Sequence, residues 1–174
     1  MKNGIINMEI DDLTPCLIRI QDNQIVDSYY MKGLPHNDNL EEWEFDWKSE
    51  KDRGYLIYQL FVEDDPRIQG LISLKTRKDI QAIEVNIVEA APFNNPHNPQ
   101  FKGKEYLGVG GHLFALAVKQ SYECGFDGVV FFTAKTNLLE HYRKTLNAKR
   151  IGNTHKMIID ERSARILYER YFKQ

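Results

Sequence analysis

A cluster of glycines followed at once by a long apolar run constrains this chain more than any other feature. Residues 108–111 read Gly-Val-Gly-Gly, and residues 112–118 continue as His-Leu-Phe-Ala-Leu-Ala-Val. An apolar run of this length predicts a buried helix, and glycines at its start predict a tight turn that leads into it. We therefore expect a buried helix over 110–124 that begins directly at a glycine-rich turn and ends at Gly125 in the left-handed conformation.

The start of such a helix is a candidate anion site. The first four N–H groups of a helix have no partner within it and lie at the positive end of its dipole, an effect worth about 0.3–1 kcal/mol per charge. Glycine lacks the Cβ atom that would keep a phosphate oxygen away from these donors. The candidate amide donors to a pyrophosphate are those of Gly108, Val109, Gly110, Gly111 and His112. Glycines also collect where a helix packs closely on a sheet, and that interpretation stays open.

The pattern on either side of the glycines predicts a sheet with the helix as its crossover. The segments 55–62, 68–74 and 80–89 predict an antiparallel meander, and residues 128–134 are apolar on both faces, as in a central strand. Between them, the segment 90–99 carries three prolines within eight residues and is predicted to be a loop. Loops in such positions often shape a site.

The N-terminal part is predicted to add a hairpin, with strands in 16–20 and 25–30 joined by a polar turn. Residues 40–47 then mix acids with large aromatics, and Trp43 and Trp47 are spaced as on one face of a short helix. We interpret the two tryptophans as packing at one end of the core. The alternative is a substrate-facing wall whose acids attract a cationic amine.

The C-terminal part is predicted to add a short helix, a hairpin and a final helix. Asn137 begins a capping-box pattern, and Tyr142 falls on the apolar face of the helix that follows. A hairpin over 149–159 comes next, and Asp160 is expected to cap the last helix. We therefore predict one mixed α/β (α+β) domain over 1–174, with a mostly antiparallel central sheet, a buried crossover helix, an N-terminal hairpin and a C-terminal helix.

Length and charge narrow the classes of partner. The chain has 174 residues and a formal net charge of −2 with dispersed basic residues, so a small-molecule partner is expected rather than nucleic acid or an anionic membrane. No apolar run is long enough to span a bilayer, and the first residues lack the apolar core of a signal peptide. Metal-ligand spacing is absent among the two cysteines, Cys16 and Cys124. It is also absent among the histidines His97, His112 and His141. We expect no metal, polar surface positions for these histidines, and a cytoplasmic protein.

The order of elements over 55–159 resembles that of the GNAT-type N-acetyltransferases. That family carries a motif Arg/Gln-x-x-Gly-x-Gly/Ala whose backbone amides bind the pyrophosphate of acetyl-CoA, and Gly108 and Gly110 match its two glycines. Glu105 stands where the family has Arg or Gln, so Lys102 and Lys104 are expected to supply positive charge near the phosphates, with Lys104 as the candidate cofactor-binding residue. The resemblance implies a GNAT-like fold with acetyl-CoA as co-substrate.

The resemblance also implies a reaction, the transfer of an acetyl group from acetyl-CoA to a primary amine of an unidentified acceptor. Tyr142 matches the family's tyrosine near the departing sulfur, where it would donate a hydrogen bond to the thiolate. The strand over 83–89 would leave a backbone N–H free for the oxyanion. Glu84 and Glu89 on that strand are candidate bases, although a glutamate on a strand is more often on a solvated face.

Other classes fit the residues less well. A dinucleotide-dependent oxidoreductase would also use glycines, and Asp127 has a suitable distance from Gly108, but residues 101–107 are mostly polar where that fold needs an apolar strand. The chain lacks the Gly-Lys-Ser/Thr of a P-loop. The alternative that stays open is a GNAT-like CoA-binding or protein-interaction module without catalysis. The residues do not determine the oligomeric state, and a homodimer remains open.

Overall fold

The computed structural model describes residues 4–35 and 40–173, and within them four α-helices pack with two β-sheets. The strands are β1 (Ile5–Ile6), β2 (Leu17–Arg19), β3 (Gln24–Val26), β4 (Ser28–Lys32), β5 (Leu56–Val62), β6 (Asp65–Arg77), β7 (Ala82–Ala90), β8 (Tyr106–Leu107), β9 (Val130–Ala134), β10 (Lys149–Arg150) and β11 (Lys156–Ile159). The helices are α1 (Trp47–Asp52), α2 (Val109–Glu123), α3 (Leu139–Leu146) and α4 (Glu161–Phe172). The prediction of a mixed α+β fold with a mostly antiparallel sheet is confirmed.

The larger sheet has the strand order β10-β11-β9-β7-β6-β5-β4. Strands β4 to β7 pair with their neighbours in antiparallel fashion, which confirms the predicted meander. Its last strand is Ala82–Ala90 rather than 80–89, because Gln81 adopts a φ of +54° and turns the chain just before it. Strands β7 and β9 pair in parallel, and α2 is the crossover that such a pairing requires.

Strands β7 and β9 separate part of the way along their length. Their parallel pairing runs only from Ile83 to Val85 on β7. A β-bulge follows at Asn86, where the register with β6 shifts by one residue. Beyond this point β9 pairs in parallel with β1 instead, through Thr133 and Ala134. The sheet therefore opens between β7 and β9, and β1 lies in the opening.

Helix α2 forms close to the predicted range and fills the centre of the molecule. It begins after Gly108, which has a φ of +99°, and is followed by Gly125 at a φ of +78°, so both ends use the left-handed region that favours glycine. All of its residues from Val109 to Val118 are buried. A helix that is apolar on every side must be enclosed, and here the sheet covers one side and α4 another.

Two predictions about helix starts are wrong. Trp43 does not share a helix with Trp47, because α1 begins at Trp47 with Asp46 as its N-cap. The capping box at Asn137 does not form, because a 3₁₀ turn includes this residue and Leu138 is the residue before α3. The start of α1 is set by the Asp46 side chain, and the start of α3 is set by the 3₁₀ turn before it. The spacing of residues in the sequence specifies neither boundary.

The two ends of the chain follow the predictions more closely. The N-terminal hairpin is present as β2 and β3, but the segment 25–30 is divided between β3 in a small sheet and β4 at the edge of the large one. The small sheet is completed by β8, which pairs with β2. The C-terminal hairpin is formed by β10 and β11, and Asp160 caps α4 by accepting a hydrogen bond from the Ser163 amide at 2.9 Å.

A buried glutamate anchors α1 to the bulge in β7. The Glu50 side chain is 1% exposed, and its carboxylate accepts hydrogen bonds from the Ser73 hydroxyl at 2.8 Å and from the Asn86 amide. Arg53 pairs with the same carboxylate at 3.2 Å. A buried charge requires such partners, because leaving it unpaired costs several kcal/mol. Glu50 therefore joins α1 to the strand at which the sheet opens. Around this junction lies the smaller core cluster, which consists of Phe45, Trp47, Ile57, Ile68, Leu71 and Ile87.

Candidate functional site

A cavity of about 450 Å³ lies where β7 and β9 separate and α2 begins. Its wall combines the end of β7, the first turn of α2, the loop after β7 and the N-terminal residues. The charged and polar side chains on this wall include Glu9, Asp11, Glu44, Glu89, Asn94, His97, Lys104, Lys135 and Asn137. The predicted site-shaping loop over 90–99 thus does contribute to a cavity.

The first turn of α2 forms part of the cavity wall. The first hydrogen bond of the helix runs from the His112 amide to the Gly108 carbonyl, so the amides of Val109, Gly110 and Gly111 precede it. Val109 and Gly110 line the cavity. A methyl group in place of the Gly110 hydrogen would lie 3.4 Å from Met8. Two of the five residues predicted as amide donors, Val109 and Gly110, therefore line the cavity.

Two other predicted donors are used within the fold. Gly111 is a packing residue, because a Cβ atom there would lie 2.2 Å from the Tyr171 hydroxyl oxygen of α4. The His112 amide bonds to Gly108, so it is not available to an anion. The His112 ring is 2% exposed rather than at the surface, with Nδ1 2.8 Å from the Gly108 carbonyl oxygen, and burial lowers its pKa. Gly111 is thus a site of close packing, but against α4 and residues 12–13 rather than against a sheet as that interpretation expected.

Residues 4–14, here called the N-terminal strap, run through the opening of the sheet and along the start of α2. The Asp11 carboxylate accepts a hydrogen bond from the Gly108 amide at 3.1 Å. Lys104, the predicted phosphate-binding lysine, pairs with the other oxygen of Asp11 at 2.8 Å. A carboxylate of the chain itself therefore occupies the position at which the sequence predicts an anion.

Tyr142 lies behind the strap. Its side chain is fully buried and packs against Phe114 and Phe132, with ring centroids 6.2 and 5.4 Å away. Its hydroxyl donates a hydrogen bond to the Met8 carbonyl, and burial raises its pKa well above the ordinary value. Met8 lines the cavity, so the strap stands between the predicted leaving-group tyrosine and the cavity.

Glu89, one of the two predicted bases, projects into the cavity wall from the end of β7. Its carboxylate accepts hydrogen bonds from the amides of Glu44 and Phe45, at 2.6 and 3.2 Å, and from the Trp47 indole at 2.9 Å. Burial raises the pKa of Glu89 to about 7, and these three donors partly oppose that rise. The expectation of a solvated strand glutamate is wrong for Glu89.

The structure does not bring the second predicted base to the cavity. Glu84 lies near the other end of β7, where Arg77 pairs with it at 2.8 Å. It is not among the residues that line the cavity. Of the two glutamates that the sequence offers as bases, Glu89 is therefore the one that lines the cavity.

Glu105, which stands where the GNAT motif has Arg or Gln, has its charge neutralised by a neighbouring arginine. Glu105 pairs with Arg67 at 2.8 Å, and the Arg67 guanidinium also lies over the Phe93 ring, 3.9 Å from its centroid. The residue that faces the start of α2 with positive charge is Lys104. The charge of Glu105 is therefore directed to β6 rather than to the helix N-terminus.

The sequence predictions miss the strap residues altogether. Asp11 is 97 positions from Gly108, and Met8 is 134 positions from Tyr142. The only sequence signal for this segment is its short apolar pattern, Ile5, Ile6 and Ile10 between polar residues. Such a pattern predicts an extended segment with one buried side, but it does not indicate where the segment docks.

Comparisons of the chain with protein-family models, curated proteins and solved structures found no match. Across residues 4–35 and 40–173, no helix has the length and apolar character that crossing a membrane requires. The same residues contain no group of three or more His, Cys, Asp or Glu side chains placed to hold a metal ion. The chemistry of the cavity must therefore be inferred from its geometry.

Proposed function

We propose that this chain is a GNAT-like acyltransferase that moves an acetyl group from acetyl-CoA to a primary amine of an acceptor. The observation that carries the proposal is the opening between parallel strands β7 and β9, with the first turn of α2 and Glu89 on one cavity wall. The strand order, an antiparallel meander joined through a buried helix to a parallel strand and a closing hairpin, supports the same proposal. The cytoplasmic location expected from the sequence is retained as part of it.

The phosphate end of the co-substrate fits the start of α2. Val109 and Gly110 offer amides on the cavity wall, and the missing Cβ of Gly110 leaves room for a pyrophosphate oxygen. Lys104 adds a positive charge on the same wall. Acetyl-CoA supplies an activated acyl group as a thioester, and these residues would hold it at the opening of the sheet.

The reaction would use Glu89 and Tyr142 in different roles. A primary amine in water at neutral pH is largely protonated. A carboxylate with a pKa of about 7 is suited to take its proton near that pH. The C–N bond then forms as the C–S bond breaks, the sulfur leaves as a thiolate, and the second proton of the attacking nitrogen is released to that thiolate or to water. Because burial raises the pKa of Tyr142, this residue would stabilise the thiolate by a hydrogen bond rather than by giving up its proton.

The charges on the cavity wall favour a cationic acceptor. Glu9, Glu44 and Glu89 all line it. Residues 40–47 therefore match both interpretations of the sequence: Trp47 packs in the core, and Glu44 and Phe45 form part of the wall. An ammonium group near these carboxylates would be held close to the base that deprotonates it.

Binding of acetyl-CoA can be tested by thermal unfolding of the parent chain, Gly110→Asp and Gly110→Ala. Ligand at about 100 times its dissociation constant adds roughly 2.7 kcal/mol, which raises the midpoint by several degrees in a chain of this size. Gly110→Asp places a negative charge at the amides and should abolish the shift. Gly110→Ala adds no charge, and its methyl group meets only ordinary contacts within the protein, so it should fold normally. It should show a smaller shift than the parent, because the methyl group takes part of the space proposed for a pyrophosphate oxygen. Absence of a shift both in the parent and in Ile10→Ala, whose strap is held less tightly, would contradict the proposal.

A second candidate is a GNAT-like CoA-binding or protein-interaction module without catalysis. It is favoured by the fact that the Gly108 amide and the Tyr142 hydroxyl are both bonded to the strap. Tyr142→Phe separates the two candidates, with acetyl transfer to a panel of small primary amines as the measurement. An enzyme should lose rate without losing acetyl-CoA affinity, whereas a module has no rate to lose.

A further inference from the structure

We infer that the N-terminal strap is an internal competitor of acyl-CoA, which occupies the acyl-CoA groove and leaves it when the ligand binds. The inference rests on the proposed function, since it concerns the regulation of that same site. Three separate parts of the strap take positions that the ligand would need, and each can be related to one part of an acyl-CoA molecule.

The first part is the short strand β1. It pairs in parallel with β9 at Thr133 and Ala134, beyond the point where β7 leaves β9. Ile6 is 1% exposed and belongs to the main core cluster. An extended chain with amide groups lies here in the opening of the sheet, and the pantetheine arm of CoA is also an extended chain with amide groups. The two cannot lie in this opening together.

The second part is the Asp11 carboxylate. It accepts a hydrogen bond from the Gly108 amide and pairs with Lys104, at 3.1 and 2.8 Å. An amide at the start of a helix and a nearby lysine are the groups that would receive a phosphate oxygen. Asp11 thus provides an anion where the proposed ligand would provide its pyrophosphate.

The third part is the middle of the strap. The Met8 carbonyl accepts the hydrogen bond of Tyr142, and the Ile10 amide donates to His141 Nε2 at 2.8 Å. The hydroxyl that would face the thioester sulfur is therefore occupied by strap backbone. Gly110, whose missing side chain would admit the ligand, lies against Met8 and Ile10 instead.

A competing segment makes a prediction that a merely structural segment does not. If acyl-CoA binds only when the strap is open, its apparent affinity is its intrinsic affinity reduced by the open fraction. Ile10 is 4% exposed, so Ile10→Ala weakens the strap, lowers the stability of the protein and raises the open fraction. The less stable variant should therefore bind coenzyme A more tightly, by at least tenfold.

The matched control is Ile57→Ala. Ile57 is 3% exposed and lies on β5 in the smaller core cluster, separate from the cluster that holds Ile6 and Ile10. The substitution removes the same atoms and destabilises the protein by a similar mechanism. It should leave the affinity for coenzyme A unchanged, because Ile57 does not belong to the core cluster that holds the strap.

The experiment measures the dissociation constant of coenzyme A by calorimetry for the parent, Ile10→Ala and Ile57→Ala. Hydrogen exchange of the strap is followed in parallel by mass spectrometry. We expect tighter binding only in Ile10→Ala, and faster exchange in residues 4–14 when coenzyme A saturates the parent, while the first turn of α2 becomes protected. If Ile10→Ala binds coenzyme A and the parent does not, that result also supports the inference that the strap competes with the ligand.

Two results would overturn the inference in distinguishable ways. If coenzyme A binds the parent, the strap retains its protection and Ile10→Ala binds no more tightly, then the strap is a fixed part of the fold and the proposed function survives. If neither the parent nor Ile10→Ala binds coenzyme A, the proposed function fails together with the inference.

Discussion

Glu89 shows how an ordinary strand residue becomes a half-buried group with a raised pKa. It follows the bulge in β7. The segment before α1 donates two backbone amides to its carboxylate, and Trp47, the first residue of α1, donates its indole N–H. Burial disfavours the charged form, and the three donors favour it. The pKa of about 7 means that burial outweighs the donors.

The raised pKa of Glu89 predicts a pH-dependent stability. Between the pKa of an unfolded glutamate, about 4.3, and about 7, the folded state holds a proton that the unfolded state has lost. The free energy of unfolding should therefore fall as the pH rises through this window, by up to about 3 kcal/mol, and level off above it. Urea unfolding of the parent and of Glu89→Gln at a series of pH values measures the effect, because the free energy of unfolding of the parent minus that of Glu89→Gln should fall from pH 5 to pH 8.

Two further variants sharpen this measurement. Glu84→Gln removes the same charge from the ion-paired part of β7 and controls for a general effect of charge. Trp47→Phe keeps a large ring but removes one donor to Glu89, so the pKa of Glu89 should rise further and the decline should extend to higher pH. A difference between the parent and Glu89→Gln that stays constant from pH 5 to pH 8 would refute the assignment.

At the scale of single elements, the first turn of α2 divides its glycines between two tasks. Gly110 faces the cavity and the strap, whereas Gly111 faces α4. Sequence alone predicts the turn and the helix because the glycines and the apolar run are local signals. It does not predict which glycine packs and which one leaves a cavity, because the partner of Gly111 is Tyr171, on the last helix of the chain.

Because Gly110 and Gly111 have different surroundings, replacing each of them by Ala should lower the stability of the protein by different amounts. In Gly111→Ala the new methyl group would lie 2.2 Å from the Tyr171 hydroxyl oxygen and 3.2 Å from the Asp12 carbonyl oxygen, and overpacking of this kind costs about 1–3 kcal/mol. Gly110→Ala makes contacts of 3.4 Å and longer and should be close to neutral. Denaturant unfolding of both variants compares them directly.

A second substitution tests the cause of the Gly111→Ala cost. The Tyr171 hydroxyl is buried without a hydrogen-bond partner among the described residues, so Tyr171→Phe should cost little by itself. Combined with Gly111→Ala it removes the closest contact, and the double variant should recover most of the lost stability. Strictly additive effects would place the cost of Gly111→Ala elsewhere.

At the scale of the whole molecule, what could be predicted from the sequence follows the range of the contacts. The meander, α2 and the C-terminal hairpin depend on periodicity and turns within short segments, and they were predicted. The position of Trp43, the start of α3 and the route of the strap depend on contacts between distant segments. The cavity was predicted only in part for the same reason, since one side of it comes from residues 7–11.

The distant docking of β1 predicts a late step in folding. β1 pairs with β9, so forming this contact closes a loop of most of the chain, whereas Ile83 lies on β7 within the meander and beside β9. Long-range contacts require this closure entropy before they stabilise the fold, so the strap should dock after the transition state. Ile6→Val and Ile83→Val are matched, because both side chains are nearly inaccessible, at 1% and 2% exposure.

We expect the two variants to lose similar stability, about 1 kcal/mol each, through different rates. Ile6→Val should unfold about fivefold faster and refold at the parent rate, because its contacts are absent from the transition state. Ile83→Val should refold more slowly. Stopped-flow chevrons in urea measure both rates, and equal slowing of refolding in the two variants would mean that β1 docks early, together with the central strands.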